Sequence, residues 1–277
     1  MARRAPVAAV ESPGRFVRGL KQVLMGTMIV CSIIAAFWAY STVDHFLVSD
    51  SRFFLPGPPE PGERSSFFRI EGAKNITDEQ VIQVFARDFG RSIYLCPLGQ
   101  RRLKLLSLDW VKEASISRLW PNRLVVRITE RKPAAFTQMP AADGTTLLWM
   151  VDADGVLLDP QRAMPFKLPV LIGMPRTEPE AVRRERMKRF LRLQTELDGY
   201  MTKISEIDVA DSDNLKVIEP FDGRAIVLML GNQEYRTRYE NFLNNQDEIK
   251  KRLPDAAILD LRLRDRITGV ASKGASR

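Results

Sequence analysis

The sequence predicts an α+β protein: a single N-terminal transmembrane helix, then a small β-α-α-β-β domain, then a β-rich domain with two helices. Three observations support this fold class. An uncharged segment of membrane-spanning length lies near the N-terminus, and a strand, two helices and two strands follow it. The remainder consists of short strands and turns with two amphipathic helices. At 277 residues, the chain is long enough for two modest domains.

The first element is the uncharged segment at residues 22–43. As a helix it would extend ~33 Å, which matches the ~30 Å hydrocarbon core of a bilayer. Residues 1–21 carry five basic side chains against Glu11 alone, and the first acidic residue after the segment is Asp44. This asymmetry predicts a cytoplasmic tail at residues 1–21, a transmembrane helix at residues 22–43, and the later domains in the periplasm.

Two alternatives for this segment are weaker. A cleaved signal peptide usually has a shorter apolar run and an Ala-x-Ala site, which does not follow here. A buried helix of a soluble domain would normally show a polar face, whereas Gly26, Thr27 and Ser32 are the most polar interruptions.

The charge and the cysteines exclude further classes of protein. Half of the formal net charge of +8 belongs to the short N-terminal tail, where anionic inner-leaflet lipid explains it, so we expect no nucleic-acid partner. Cys31 lies inside the predicted span and Cys96 lies far outside it. We therefore expect no disulfide framework.

Residues 44–65 are predicted to form a proline-rich periplasmic linker. The stretch Pro56-Gly57-Pro58-Pro59-Glu60-Pro61-Gly62 fits neither a helix nor a central strand. Such a segment would act as a semi-rigid spacer that holds the next domain away from the membrane.

The first folded domain is predicted at residues 66–133. A strand at Phe67–Glu71 is followed by Thr77 and Gln80, which form a capping box at the start of a helix. A second helix is expected at Leu98–Leu108. Two strands complete the sheet, at Val111–Arg118 and Arg123–Glu130, and the Leu119–Asn122 stretch between them is a hairpin turn.

The second domain is predicted at residues 134–271, before a disordered tail at residues 272–277. Its helices are expected at Glu180–Leu197 and Gln233–Leu253. Its strands are expected at Ala135–Gln138, Leu147–Asp152, Val156–Leu158, Pro169–Ile172, Ile204–Val209, Leu215–Ile218, Ala225–Leu230, Ala257–Leu263 and Arg266–Val270.

The sequence carries no recognisable catalytic, cofactor or metal motif. His45 is the single histidine, which argues against histidine-based catalysis and most zinc sites in the exterior domains. Asp152 and Asp154 resemble the start of a calcium loop, but Val156 occupies the third ligand position, so a tight turn is favoured. A carboxylate pair for glycoside hydrolysis stays open, although nothing singles out two residues.

The segment ISRLWPNRLVVRITERKPAA, residues 116–135, resembles the end of the POTRA domain in the FtsQ/DivIB family of cell-division proteins. In that family a strand, a Trp-Pro turn and a strand ending in Glu-Arg-x-Pro-x-Ala recur. The candidate hairpin and domain-junction residues here are Trp120, Pro121, Glu130, Arg131 and Pro133. Similar support comes from Val151–Val156, from Leu230-Gly231 followed by Arg238 and Phe242, and from Ile258–Arg262.

The resemblance implies a non-enzymatic, single-pass inner-membrane protein of the division septum. It would hold FtsB- and FtsL-like partners in the periplasm and help to coordinate septal peptidoglycan synthesis. Its POTRA domain would dock other divisome proteins. An FtsB-like partner would add a strand at the edge formed by residues 263–270. The candidate partner-binding residues are Leu261, Arg262, Leu263, Arg264, Arg266, Ile267, Thr268, Gly269 and Val270.

Several interpretations compete with this one. The arginines near the last strand also fit charges that protect an exposed edge from aggregation. Leu263 stands where the family often has an aromatic residue. A membrane-anchored periplasmic cell-wall enzyme is one alternative function, because the exterior is mildly basic. A secretion or outer-membrane assembly component is another, since POTRA domains also occur there.

Overall fold

The structure is a computed structural model that describes residues 13–60, 65–140, 145–159 and 166–271. The predicted tail at residues 272–277 lies outside these residues, as do most of residues 1–21. The described part contains an N-terminal apolar helix, a three-stranded sheet with two helices, and a nine-stranded sheet with further helices. This arrangement confirms the predicted α+β fold class.

The first helix, α1, runs from Pro13 to Ser49. Within its segment Gly19–Ser49, the most apolar window of 18 residues has a mean hydropathy of 2.0, and none of that window is buried in the protein. By length and composition this helix can cross a membrane, as the uncharged segment predicts.

Contacts between Cα atoms divide the chain into two compact units. The first contains residues 1–71, 78–101 and 116–126, and the second contains residues 72–77, 102–115 and 127–277. The division passes through the small sheet, whose strand order is β1-β3-β2. The elements of this region are β1 (Phe68–Glu71), α2 (Asp78–Val84), α3 (Leu98–Leu106), β2 (Val111–Leu119) and β3 (Arg123–Glu130).

Aromatic packing and a buried ion pair hold the first unit together. α2 begins directly after Thr77, as the capping box predicts, and the ring of Phe68 contacts the rings of Phe85 and Phe89 at 5.1 and 5.3 Å. The Arg101 guanidinium donates hydrogen bonds of 2.6 and 3.0 Å to the Asp88 carboxylate, and both side chains are buried. Such a pair is costly to break from one side, because it leaves a lone buried charge.

The chain contacts the first unit at Leu55, directly before the proline-rich segment. Leu55, the residue before Pro56, is 1% exposed. Its backbone N–H donates to the Arg91 carbonyl and its carbonyl accepts from the Gly90 N–H, both at 2.8 Å. The chain therefore contacts the first unit at Leu55, before the prolines begin.

The second unit contains a nine-stranded sheet of order β12-β11-β10-β9-β8-β7-β4-β5-β6. Its strands are β4 (Pro133–Pro140), β5 (Thr146–Asp152), β6 (Leu157–Leu158), β7 (Val170–Ile172), β8 (Glu206–Asp208), β9 (Leu215–Phe221), β10 (Arg224–Gly231), β11 (Ala256–Asp260) and β12 (Thr268–Ala271). The helices are α4 (Glu180–Glu196), α5 (Tyr235–Asn244) and α6 (Gln246–Arg252).

The core of this unit lies between the helices and one face of the sheet. Burial alternates along β9, with every second residue from Leu215 to Phe221 buried, which is the pattern of a strand with one covered face. The covering side chains include Met187, Phe190, Tyr235, Tyr239 and Phe242, each 0% exposed. Within this core the Tyr239 hydroxyl donates a 2.5 Å hydrogen bond to the Glu219 carboxylate.

Two details differ from the sequence prediction. The single helix expected at Gln233–Leu253 is two helices, because Asn245 leaves helical geometry with φ −111° and its side-chain amide donates to the Asn241 carbonyl. The last two strands are also shorter than predicted: residues 261–267 form a bent connection, and β12 begins at Thr268.

Candidate partner-binding edge and domain junction

The C-terminal edge of the nine-stranded sheet is formed by β12. This strand pairs antiparallel with β11, with Ile258 opposite Val270 and Asp260 opposite Thr268. Among the described residues no strand pairs with its other side. In an antiparallel strand, alternate residues direct their N–H and C=O groups away from the partner strand, so this side of β12 has backbone groups available for another chain.

The side chains of β12 leave this edge accessible. Val270 is 56% exposed, and Thr268 is also exposed. A Cβ atom at Gly269 would lie 2.9 Å from the Ala256 Cβ and 3.1 Å from a Leu253 methyl group. Glycine at this position therefore allows β12 to lie close to the start of β11.

The connection before β12 is fixed by a buried leucine and an aspartate turn. Leu261 is 1% exposed, and its N–H donates to the Met229 carbonyl at 3.1 Å. Asp260 accepts a 3.0 Å bond from the Arg262 backbone N–H and pairs with its guanidinium at 2.6 Å. These bonds to Arg262 lower the pKa of the Asp260 carboxyl and raise that of the guanidinium. The bend they create explains why residues 261–267 are not a strand.

The remaining candidate residues of this connection lie beside α5 and α6. Leu263 is 45% exposed, and Arg264 pairs with Glu234, which precedes α5. Arg266 is exposed and lies 3.8 Å from the Asp265 carboxylate, while Ile267 packs partly against the core. A groove of about 570 Å³ next to α5 includes Leu263 in its lining, and one of about 320 Å³ next to α6 includes Arg266.

The structure thus separates the nine candidate edge residues into three groups. Leu261 and Ile267 anchor the connection to the core, whereas Arg262 and Arg264 are engaged in ion pairs within the chain. The other five residues, Leu263, Arg266, Thr268, Gly269 and Val270, are exposed, and Arg266 pairs with its exposed neighbour Asp265.

The domain junction is organised around Glu130, the last residue of β3. One carboxylate oxygen of Glu130 accepts hydrogen bonds from three consecutive backbone N–H groups, those of Lys74, Asn75 and Ile76, at 2.6, 2.8 and 3.0 Å. The other oxygen accepts a 2.6 Å bond from the Asn75 side chain. The loop between β1 and α2 is therefore held by a single carboxylate from the end of the sheet.

Arg131 connects the same strand end to the first hairpin of the β-rich domain. Its guanidinium lies 2.8 Å from the Asp152 carboxylate and 3.8 Å from that of Asp154, which also accepts a 3.1 Å bond from Lys112. Asp152 is 3% exposed. Two residues after Arg131, Pro133 starts β4 and lies opposite Asp152.

The turn after Asp152 packs directly on α4. The other oxygen of Asp152 accepts from the N–H groups of Asp154 and Val156 at 2.9 and 2.8 Å, as expected for a tight turn. Gly155 has φ +82°, and a Cβ there would lie 2.5 Å from the Arg184 backbone N. Only glycine fits this approach without displacement of the helix.

Trp120 and Pro121, the other two junction candidates, belong to the first unit and lie in the β2–β3 turn. The Trp120–Pro121 peptide bond is cis. The Trp120 ring is 52% exposed and contacts the Phe53 ring. The structure therefore groups Glu130, Arg131 and Pro133 around one set of contacts and assigns Trp120 and Pro121 to another.

The titratable groups of the described residues form no cluster of three or more His, Cys, Asp or Glu side chains that could hold a metal ion. Cys31 and Cys96 are free thiols. Burial, with the Asp88 carboxylate nearby, raises the pKa of the Cys96 thiol to about 12, so it stays protonated near neutral pH.

One residue that shapes the edge, Glu234, was missed in the sequence. Glu234 has φ +56° just before α5, and its carboxylate pairs with the Arg264 guanidinium. Arg238, which was identified from the sequence together with Leu230-Gly231, donates to the Leu230 carbonyl. No local pattern predicts the Glu234 contact, since 30 residues separate it from Arg264.

Two family models match the chain. Residues 64–131 match the FtsQ-type POTRA domain, and residues 142–262 match the C-terminal domain of the cell-division proteins FtsQ/DivIB. The second match ends before β12, so the edge strand lies outside it.

Individual proteins that are similar to this chain are also FtsQ proteins. The chain is 33% identical over 220 residues to the cell division protein FtsQ of Koribacter versatilis, a match that covers 73% of this chain and 60% of that protein. It is 28% identical to FtsQ of Zymomonas mobilis over 56% of this chain and 47% of the relative. The match to FtsQ of Syntrophotalea carbinolica is 21% identical and covers 72% and 71%.

Proposed function

Because the chain belongs to the FtsQ/DivIB family of cell-division proteins, we propose that it is a non-enzymatic scaffold of the divisome. It sits in the inner membrane with its N-terminus in the cytoplasm and its two folded domains in the periplasm, at the division septum. There it binds FtsB- and FtsL-like partners and helps to coordinate septal peptidoglycan synthesis.

The observation that carries this proposal is the open side of β12. A partner segment that pairs with this strand satisfies its unpaired N–H and C=O groups, and such pairing depends little on the identity of the side chains. Val270 and Leu263 offer apolar contacts beside the strand, since both are about half exposed. The exposed Arg266 favours an acidic segment on the partner.

The membrane topology in this proposal follows from charge. The five basic residues before the apolar segment favour retention of that end in the cytoplasm. The matched POTRA and C-terminal domains both follow α1 in the chain, so they would lie on the opposite side.

A truncation tests the edge. Removal of residues 268–277 deletes β12 but keeps Leu261 and Ile267, which pack against the core. We expect the purified full-length protein to retain an FtsB-like partner in a pull-down, and the truncated protein to bind at least about tenfold more weakly. Removal of residues 272–277 alone is the matched control and should leave binding unchanged.

A folding control is required for this test. The truncated protein must keep its cooperative unfolding transition, because only then does loss of binding report on the edge. Full retention of the partner by a folded protein that lacks β12 would contradict strand addition.

A further inference from the structure

The C-terminal end of α1 contacts other segments of the first unit. The Ser92 hydroxyl donates a 2.6 Å hydrogen bond to the Leu47 carbonyl, and Phe54 forms a β-bridge with Ser92. Tyr40 and Asp44 of α1 lie close enough to the Tyr94 phenol to raise its pKa. The helix end and the segment around residues 92–94 are therefore in direct contact.

A row of three aromatic rings extends this contact to the Trp-Pro turn. The Phe46 ring contacts the Phe53 ring at a centroid distance of 5.4 Å, and Phe53 contacts the Trp120 ring at 5.5 Å, both edge to face. Such edge-to-face aromatic pairs are favourable beyond the area that they bury. The turn between β2 and β3 is thus tied to the end of the apolar helix.

The position of Phe46 along α1 fixes the depth of this row. The uncharged segment ends at Val43, and Phe46 follows it by three residues, or ~4.5 Å along a helix. The interfacial region of a bilayer extends roughly 5–7 Å beyond each side of the hydrocarbon core. If α1 spans the membrane, Phe46 lies in that region, and Trp120 lies two ring contacts away from it.

The surface at this end of the unit has the composition of a membrane-interface site. Four large apolar side chains are about half exposed: Phe46, Leu95, Leu119 and Trp120. Arg118 donates to the carbonyls of Tyr94 and Cys96, which connects the turn strand to the segment that carries Leu95. The exposed arginines Arg52, Arg91 and Arg123 lie in the same segments. Tryptophan is enriched at both membrane–water interfaces, and exposed arginines can pair with lipid phosphates.

From these contacts we propose that the Trp-Pro turn is a membrane-docking element. Leu119 and Trp120 insert into the headgroup region of the leaflet from which α1 emerges, and they hold the POTRA domain against the bilayer. The partner that this surface binds is the lipid of the membrane that α1 crosses. The inference rests on the membrane anchoring included in the proposed function, but it does not depend on which side of the membrane the domain lies.

A lipid-quenching experiment tests this docking on the full-length protein in vesicles of phosphatidylcholine and phosphatidylglycerol. In a Cys31→Ser background, Leu119→Cys is labelled with an environment-sensitive fluorophore, and the lipid carries a spin label on its headgroup. The buried, protonated Cys96 thiol does not compete for the label. The matched control is the label at Leu103→Cys, because Leu103 is 66% exposed on α3 and lies outside the contacts described above.

We expect headgroup quenching at position 119 to exceed that at position 103 by at least about twofold. Substitution Phe53→Ala removes the middle ring and should reduce quenching at position 119 to the control level, whereas Phe53→Tyr should preserve it. Equal quenching at the two positions would overturn the docking. Quenching that survives in Phe53→Ala would overturn the role of the ring row.

Vesicle flotation separates this inference from the proposed function. The Phe53→Ala protein should float with vesicles as well as the parent does, since α1 is unchanged. A parent protein that fails to float would count against the membrane anchor itself. A parent that floats without quenching at position 119 would count against the docking alone.

Discussion

An arginine–aspartate pair occurs in both candidate regions at nearly the same distance, but in different surroundings. At the junction, Arg131 and Asp152 lie 2.8 Å apart with side-chain exposures of 18% and 4%. At the C-terminal edge, Arg262 and Asp260 lie 2.6 Å apart with exposures of 46% and 19%. Burial, and not distance, separates a pair that supports the fold from one that shapes a surface turn.

The difference extends to the backbone of the two regions. At the junction, Glu130 satisfies three consecutive backbone N–H groups within the chain. At the edge, β12 has a side that no described strand occupies. The junction uses its polar groups internally, whereas the edge retains groups that another chain can satisfy. Each prediction below tests this contrast.

The largest effect is expected for Glu130→Ala. Loss of the carboxylate leaves three backbone donors and the Asn75 amide without their acceptor, so we expect the free energy of unfolding to fall by about 3 kcal/mol. Urea unfolding of the detergent-solubilised protein measures this change. Glu130→Gln should cost less, because its carbonyl oxygen still accepts.

Glu113→Ala is the control for this substitution, since Glu113 is exposed on β2 and should change stability by less than about 0.5 kcal/mol. Equal effects at positions 130 and 113 would remove the distinction between junction and surface.

A double-mutant cycle on Arg131 and Asp152 is expected to give the next largest effect. Arg131→Ala leaves the buried Asp152 without its cation, and we expect a loss of about 2 kcal/mol with strong coupling to Asp152→Ala. The same cycle on Arg262 and Asp260 should give a coupling below about 0.5 kcal/mol. Similar coupling energies in the two cycles would contradict the role assigned to burial.

The smallest effect is expected for the pH-dependent contribution of Asp260 to the stability of the edge region. Hydrogen bonds from Arg262 lower the pKa of Asp260 below its ordinary value of 3.8. A carboxyl with a lowered pKa in the folded state contributes stability above its unfolded pKa and loses it as pH falls through the folded one. Asp260→Asn should therefore reduce stability by less than about 1 kcal/mol at neutral pH and by nothing in strong acid. If Asp260→Asn lost more stability in acid than at neutral pH, the pKa of Asp260 would be raised and not lowered in the folded protein.

Most of the fold was predictable because the sequence patterns that indicate its helices and strands are local. The capping box at Thr77 and the alternation along β9 each depend on a few neighbouring residues. The bend after Asp260 was missed because Leu261, Arg262 and Leu263 continue the alternation of a strand. The backbone N–H of Leu261 donates to the Met229 carbonyl and that of Arg262 donates to the Asp260 carboxylate, and these bonds, not the residue pattern, turn the chain.

The candidate sites were predictable only in part. Glu130 and Arg131 are identifiable as a motif, but their partners are 21 to 56 residues away and no spacing rule specifies them. The docking of Leu55 before the prolines also depends on a distant segment, residues 90–91.

The shortness of β12 limits how tightly it can hold another chain. A strand of four residues directs only about two of them outward, which allows about four new backbone hydrogen bonds at roughly 1 kcal/mol each. This gain is no larger than the usual entropic cost of bringing two proteins together. A complex formed at this strand would dissociate readily unless side chains in the neighbouring grooves add to it. Partner exchange during a division cycle would then require no unfolding of the sheet.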